Sequence, residues 1–197
     1  MEIEEEFSSI DSRDLWVYNK LQVSKLLNYN CGPAGMKVHS SGLYIVRPSV
    51  NFMGMSRNSR IMFLESSTEH LHPGEFWCEI FKGKEHLSVD FVNEKASLIV
   101  KGHRNVKNPL SRWNCWSKVN RNIEFPSILR DLKGAYETIN CEFIGNKLIE
   151  IHFRSNSDFR HGNTIAIPVW KDEKPRFYKN YRYIDDPDSD RLGFWTK

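Results

Sequence analysis

Two glutamates, a histidine and an arginine are spaced through "CEFIGNKLIEIHFR", residues 141–154, so that they could meet. Glu142 precedes a Gly145-Asn146 turn signal, and Glu150, His152 and Arg154 follow it at every second position. Side chains alternate across a strand, so residues two apart share a face. Glu150, His152 and Arg154 therefore point one way, and Ile149, Ile151 and Phe153 the other. A two-residue turn brings Glu142 across from Glu150, provided that the register does not slip. Carboxylates facing each other repel unless a cation lies between them. A divalent metal held by carboxylate and phosphate oxygens relieves that repulsion, and a nearby arginine adds charge for a phosphoryl group. The same pattern also describes the solvated polar side of an amphipathic hairpin.

Such a hairpin needs elements around it. The acidic start, residues 1–12, reads as an N-terminal tail. In 13–28, Leu15, Val17, Leu21, Val23, Leu26 and Leu27 follow a spacing nearer helical than alternating, and the Gly and Pro of "YNCGPAG" end that helix. Strands are expected over 43–48 and 60–64, with a loop containing Gly54 between them. "WCEIF" reads as a continuous buried strand and "HLSVDFV" as an alternating one. A short helix is expected over 127–137, then the hairpin, then a polar, aromatic tail over 155–197. Helices and hairpins mixed in this way indicate an α+β fold with antiparallel sheet. The division that follows is a first lobe over 13–77, a second over 78–170 and a C-terminal extension over 171–197.

Bulk properties exclude several classes. A chain of 197 residues, 40% hydrophobic and 13% aromatic, can bury a core and is not disordered. No apolar run approaches the roughly 18–20 residues of a membrane span, so no membrane partner is expected. The acidic start is unlike a signal peptide, which points to the cytoplasm. Cys31, Cys78, Cys115 and Cys141 show no metal spacing and read as free thiols. The net charge of +3 does not by itself imply nucleic acid. "SRWNCWSK" (111–118) and "KPRFYKNYRY" (174–183) nevertheless interleave basic and aromatic residues. Single-strand binding surfaces do this, and so does aromatic packing rimmed by solvated charge.

The hairpin resembles the metal-binding hairpin of ATP-grasp ligases, where an acidic residue on one strand is followed by Glu-x-Asn-x-Arg on the next. By position, Glu142 and Glu150 match the two acidic ligands and Arg154 the arginine beside the phosphates. His152 stands where the family has Asn, and would be the third metal ligand. Further resemblances follow in order. "NKLQVSKLLNYNCGP" is similar to the family's opening helix, with Lys20 in the place of a nucleotide-contacting lysine. "GLYIVRPSVNFMGMSRNSRIMFL" resembles the strand, phosphate loop and strand over the triphosphate, with Arg47 for the phosphate lysine and a single glycine, Gly54. "FWCEIFKGKEHLSVDF" is similar to the hinge, with Glu79, Ile80 and Phe81 at the adenine and Glu85 at the ribose hydroxyls.

The resemblance implies two small lobes of antiparallel sheet plus helices enclosing a nucleotide cleft, and binding of ATP and Mg2+. It implies a ligase that activates a carboxylate as an acyl phosphate for attack by an amine or thiol, with Arg47 and Arg154 neutralising charge. The short chain is similar to compact ATP-grasp-like proteins of tailed bacteriophages, which would place it in host-cell cytoplasm. It starts almost at the opening helix, without the family's usual N-terminal domain. That implies a macromolecular acceptor, a homodimer that completes the site, or lost catalysis. The alternatives are a decayed nucleotide-binding or interaction protein and a single-stranded nucleic-acid-binding protein.

Overall fold

The computed structural model describes residues 8–50, 58–83, 85–105, 107–174, 176–188 and 190–197. Gly54, and with it the centre of the expected phosphate loop, lies outside the described residues.

The helix expected over 13–28 is two pieces, a 3-10 helix over Ser12–Tyr18 and an α-helix, α1, over Lys20–Leu26. Asn19 divides them. Its backbone is extended (φ −91°, ψ 95°), and its side chain accepts from the Gln22 N–H, capping α1. The break places Lys20 at the start of α1, where its own N–H donates to the Ser49 carbonyl at 2.8 Å.

The helix expected over 127–137 shrinks to a 3-10 turn over Ser127–Leu129. The reason lies far away in sequence. Asp14 is buried, and its carboxylate accepts from the backbone N–H groups of Lys133 (2.8 Å) and Gly134 (2.7 Å) and from the Tyr136 hydroxyl (2.8 Å). Those N–H groups are therefore lost to any helical ladder, and a charged tertiary anchor outweighs weak local propensity.

Strands β1 (Cys31–Pro33), β2 (Gly42–Pro48), β3 (Arg60–Leu64) and β4 (Glu75–Glu79) form one sheet in the order β1-β4-β2-β3. The second sheet contains β5 (His86–Val92), β6 (Lys95–His103), β7 (Cys115–Lys118), β8 (Ile139–Ile144), β9 (Lys147–His152), β10 (Ile165–Trp170), β11 (Arg182–Asp188) and β12 (Arg191–Thr196). Its order is β11-β12-β10-β7-β6-β5-β8-β9. The pairings are antiparallel, so the architecture is the expected α+β arrangement of two antiparallel sheets with little helix. Residues 155–197, read as a polar tail, supply the three strands β10–β12. Arg191, buried, ties them down through Asp158 (2.7 Å) and Asp186 (2.9 Å).

Each sheet has its own core. Tyr44, Val46, Leu64, Leu71 and Trp77 pack on one side of the small sheet. Val17, Tyr18 and Val23 pack with Leu87, Val89, Phe91, Cys141 and Ile151 of the large one. The alternation in "HLSVDFV" suggested a half-exposed strand, yet β5 is buried on both faces. Its polar residues are satisfied there: Asn140 donates to Ser88 Oγ (2.8 Å) and to Asp90 (2.7 Å), and the Asn156 N–H donates to Asp90 (3.0 Å).

Residues 80–85 carry the chain from β4 of the small sheet to β5 of the large one. This connector lies on the β8–β9 turn: the Gly145 N–H donates to the Glu85 carbonyl at 2.9 Å. A Cβ at Gly83 would come within 2.7 Å of the Gly145 nitrogen. Among the described residues no helix is long and apolar enough to cross a membrane.

Asp14→Ala is expected to lower the unfolding free energy by about 3 kcal/mol, because it strands two N–H groups and a hydroxyl, and Tyr136→Phe by about 1 kcal/mol. Urea denaturation of both variants measures this.

Candidate functional site

The β8–β9 hairpin turns at Gly145-Asn146 as its sequence suggested, but the register of that turn alone would set Glu142 opposite Ile149, and a one-residue bulge shifts the pairing to Glu150. Ile144 pairs with Lys147 across Gly145-Asn146, and Glu142 lies opposite Glu150, with a bulge just beyond Glu142. Gly145 takes a φ of 61°, which a glycine adopts without steric cost. Glu150 is buried, its Oε2 3.3 Å from Lys20 Nζ and its Oε1 3.2 Å from His152 Nε2. Glu142 is half-buried and meets His86 Nε2 at 2.9 Å.

Arg47 arrives from β2. It is only 6% exposed, its guanidinium lies over the Phe76 ring at 5.1 Å, and its Nε is buried without a hydrogen-bond partner among the described residues. Burial pulls the pKa values of Lys20 and Arg47 down, and the negative charge of Glu150 opposes this in both. Two desolvated cations thus share one buried carboxylate. Removing charge from water is costly, and an anion entering between them would offset that cost.

Arg47 also shows which way the small sheet faces. Tyr44, Val46, Met62, Leu64 and Trp77 pack into the core, so the alternate residues of β2 and β3 look the other way. Leu43 pairs with Phe63, Ile45 with Ile61 and with Cys78, and Arg47 with Phe76. The β2–β3 part of this second face is apolar and open, with Leu43 60%, Ile61 50% and Phe63 61% exposed, whereas Phe76 and Cys78 of β4 are fully buried. Exposed large apolar side chains grouped on one face mark a binding surface. It runs from the β4 end, where the connector starts, to Arg47.

The remaining expected site residues occupy several environments. Glu79 accepts from the Asn30 N–H at 2.9 Å, which holds β4 to the segment after α1. Ile80 is exposed, and Phe81 packs edge-on against Tyr29 at 4.7 Å. Glu85 is clamped by Lys101 (2.8 Å) and by both terminal nitrogens of Arg121. Arg154 is exposed at the end of β9, where its charge acts on Asp90. The structure therefore brings Lys20, Arg47, Glu142, Glu150 and His152 together. Glu79, Ile80, Phe81 and Glu85 lie along the connector, and Arg154 lies to one side. His86 was not singled out by sequence, although its place beside Ser88 in an alternating strand puts it on the Glu142 face.

Among the described residues no group of three or more His, Cys, Asp or Glu side chains is placed to hold a metal ion. His152 instead contacts Glu150. The opposed pair Glu142 and Glu150 nevertheless suits magnesium, which commonly takes one or two carboxylates and completes its shell with phosphate oxygens and water.

No protein-family model and no curated protein matches the chain. A solved structure of a protein from Archaeoglobus fulgidus, described as of the ATP-grasp superfamily, is similar with a TM-score of 0.51 and 14% identity, over 92% of this chain and 64% of that one. The fold is ATP-grasp-like. A structure of the ATP-grasp ligase PsnB complexed with a minimal precursor matches with a TM-score of 0.38 and 12% identity, over 76% of this chain and 55% of that one. The second likeness is too weak to build on. The chain spans less than two thirds of the length of either protein. In this ATP-grasp-like fold the open face of the small sheet and the paired carboxylates of the large sheet flank the same buried cations.

Two outcomes follow from the charges. Glu150→Gln leaves Lys20 and Arg47 buried without their carboxylate and is expected to cost about 3–5 kcal/mol. Lys20→Met is expected to cost less, since Glu150 keeps Arg47 and His152; chemical denaturation of both variants compares them. Arg121, then Lys101, hold the Glu85 carboxyl down to about 2 from an ordinary 4.5. A depressed folded-state pKa adds stability that is present above the unfolded value and is lost as pH falls through the folded one. The difference in Tm between wild type and Glu85→Gln should therefore be constant above pH 4.5 and close between 4.5 and about 2.

Proposed function

We propose that the chain binds ATP with magnesium between its two sheets and uses it to activate a carboxylate, as an ATP-dependent ligase. The observation that carries this reading is Arg47: a buried guanidinium with an unpartnered Nε, next to buried Lys20 and at the end of an open apolar sheet face. A nucleoside triphosphate has the complementary form, a flat apolar ring at one end and several negative charges at the other. The ring would lie on Leu43, Ile45, Ile61 and Phe63, with the backbone of Ile80 and Phe81 in the connector offering hydrogen bonds to its edge. Glu85 would accept from the ribose hydroxyls with the lone pairs that Lys101 and Arg121 leave over.

Lys20 and Arg47 would bind the phosphates and neutralise charge as the γ-phosphoryl group moves. Glu142 and Glu150 would hold magnesium, which supplies further positive charge on the phosphate oxygens. His86 and His152, each on one of these carboxylates, would orient them. Arg154, an exposed cation just past the end of β9, is assigned to the entering carboxylate. In the first step a carboxylate oxygen bonds to the γ-phosphorus as its bond to the bridging oxygen breaks, giving an acyl phosphate and ADP. In the second an amine or thiol attacks the acyl carbon, phosphate leaves with the C–O electron pair, and the nucleophile's proton passes to solvent.

Titration calorimetry with ATP tests the nucleotide site. Binding is expected only with magnesium, weaker by about tenfold or more in Glu142→Gln, equivalent to about 1.4 kcal/mol, and abolished in Arg47→Met. Absence of binding at millimolar ATP would overturn the proposal. Binding without ADP release across a panel of carboxylates and amines would reduce it to a nucleotide-binding protein.

A further inference from the structure

A cavity of about 450 Å³ opens on the large sheet beside β7 and β10, well along the sheet from the β8–β9 edge. Its walls include Asn108, Trp113 and Asn114 from the segment around β7, and Trp170, Arg176 and Tyr178 from the segment after β10. These come from the two stretches, 111–118 and 174–183, in which basic and aromatic residues interleave, and from their near neighbours. Sixty residues apart in sequence, they meet on one surface.

The charge of that surface is one-sided. Residues 102–120 hold four Lys or Arg and no Asp or Glu, and residues 174–184 hold another four and no acid. Of the two acids just before the second stretch, Asp172 is taken by Arg112 at 2.6 Å, which leaves Glu173 on the wall. The acidic run that follows is also partly spent, since Asp186 is held by Arg191 at 2.9 Å. Beside the cavity lies an aromatic group: the rings of Phe177, Tyr178 and Tyr183 sit 5.6, 6.1 and 5.3 Å from that of Trp195. Phe177 is 81% exposed, and no core packing accounts for it.

We propose that this face binds single-stranded nucleic acid. An acid-poor basic surface attracts a phosphate backbone, and exposed aromatic rings stack on unpaired bases without regard to sequence. Asn108 donates to the Asn114 carboxamide oxygen at 3.1 Å in the cavity, which leaves the Asn108 oxygen and the Asn114 amide to pair with base edges. An acidic protein segment would match the charge, but open rings such as Phe177 set beside a basic surface also suit the repeated stacking of unpaired bases. The proposal does not depend on the ATP reading, because it uses other residues and a different part of the sheet.

Fluorescence anisotropy with a labelled oligothymidylate tests it, on the whole chain without nucleotide. Lys174→Glu/Arg176→Glu is expected to weaken binding by about tenfold or more and to flatten the slope of log K against log salt by about 1.4, at about 0.7 per phosphate contact on a single strand. Phe177→Ala is expected to weaken binding about fivefold or more while leaving the salt slope unchanged. All three side chains are exposed, so circular dichroism should show the variants folded. No binding at low salt, or binding indifferent to these substitutions, overturns the proposal. Equal competition by polyglutamate or by inorganic polyphosphate also overturns it, the first in favour of an acidic protein partner and the second in favour of charge alone.

Discussion

The contact between Lys20 and Glu150 is the one on which the rest of the site depends. It joins the start of α1 to the last strand of the large sheet, and both side chains are almost wholly buried. A charge removed from water is tolerable only beside its opposite, so neither residue can move without the other. Arg47 then enters the same low-dielectric space from the small sheet without a carboxylate of its own. An apolar pair of equal volume would join the two segments at least as well. What the charges add is an excess of buried positive charge, two cations beside one buried carboxylate.

Local order in the sequence was legible wherever a local pattern decided the outcome. Gly145-Asn146 set a two-residue turn, but that turn's register alone would put Glu142 opposite Ile149, and it is the bulge between Glu142 and Phe143 that puts it opposite Glu150. The strands over 43–48 and 60–64 form nearly as expected, because alternation and flanking breakers agree there. Where a distant partner decides, pattern failed. The helix over 127–137 is lost to Asp14, more than a hundred residues away, and no periodicity in that segment shows it. The break at Asn19 depends on its bridge to Val50 and on its own cap. β5 carries a half-exposed pattern yet is buried from Leu87 to Phe91, because the polar side finds Asn140 and Asn156 rather than water.

The same division holds within the site. Lys20, Arg47, Glu142, Glu150 and His152 could be read along the chain and do converge. The partners that define their electrostatics, His86 on Glu142 and the Lys101–Arg121 clamp on Glu85, could not, since each is set by pairing between strands remote in sequence. His86 has a further position of note. Its ring packs against Trp113 at 4.7 Å and Trp116 at 5.5 Å while its Nε2 meets Glu142. One imidazole thus lies between Trp113, a wall of the basic cavity, and Glu142, one of the paired carboxylates.

Gly83 is exposed to solvent, and by that measure alone it belongs with positions free to vary. Yet a methyl group there would run into the backbone of the β8–β9 turn. The neighbouring atoms belong to Ile144 and Gly145, where a displacement would be passed directly to the strands that carry the paired carboxylates. The inter-sheet connector therefore has a surface position with the mutational tolerance of a core one. As relatives of this chain diverge, a side chain at position 83 would signal that the turn beneath it has been rebuilt.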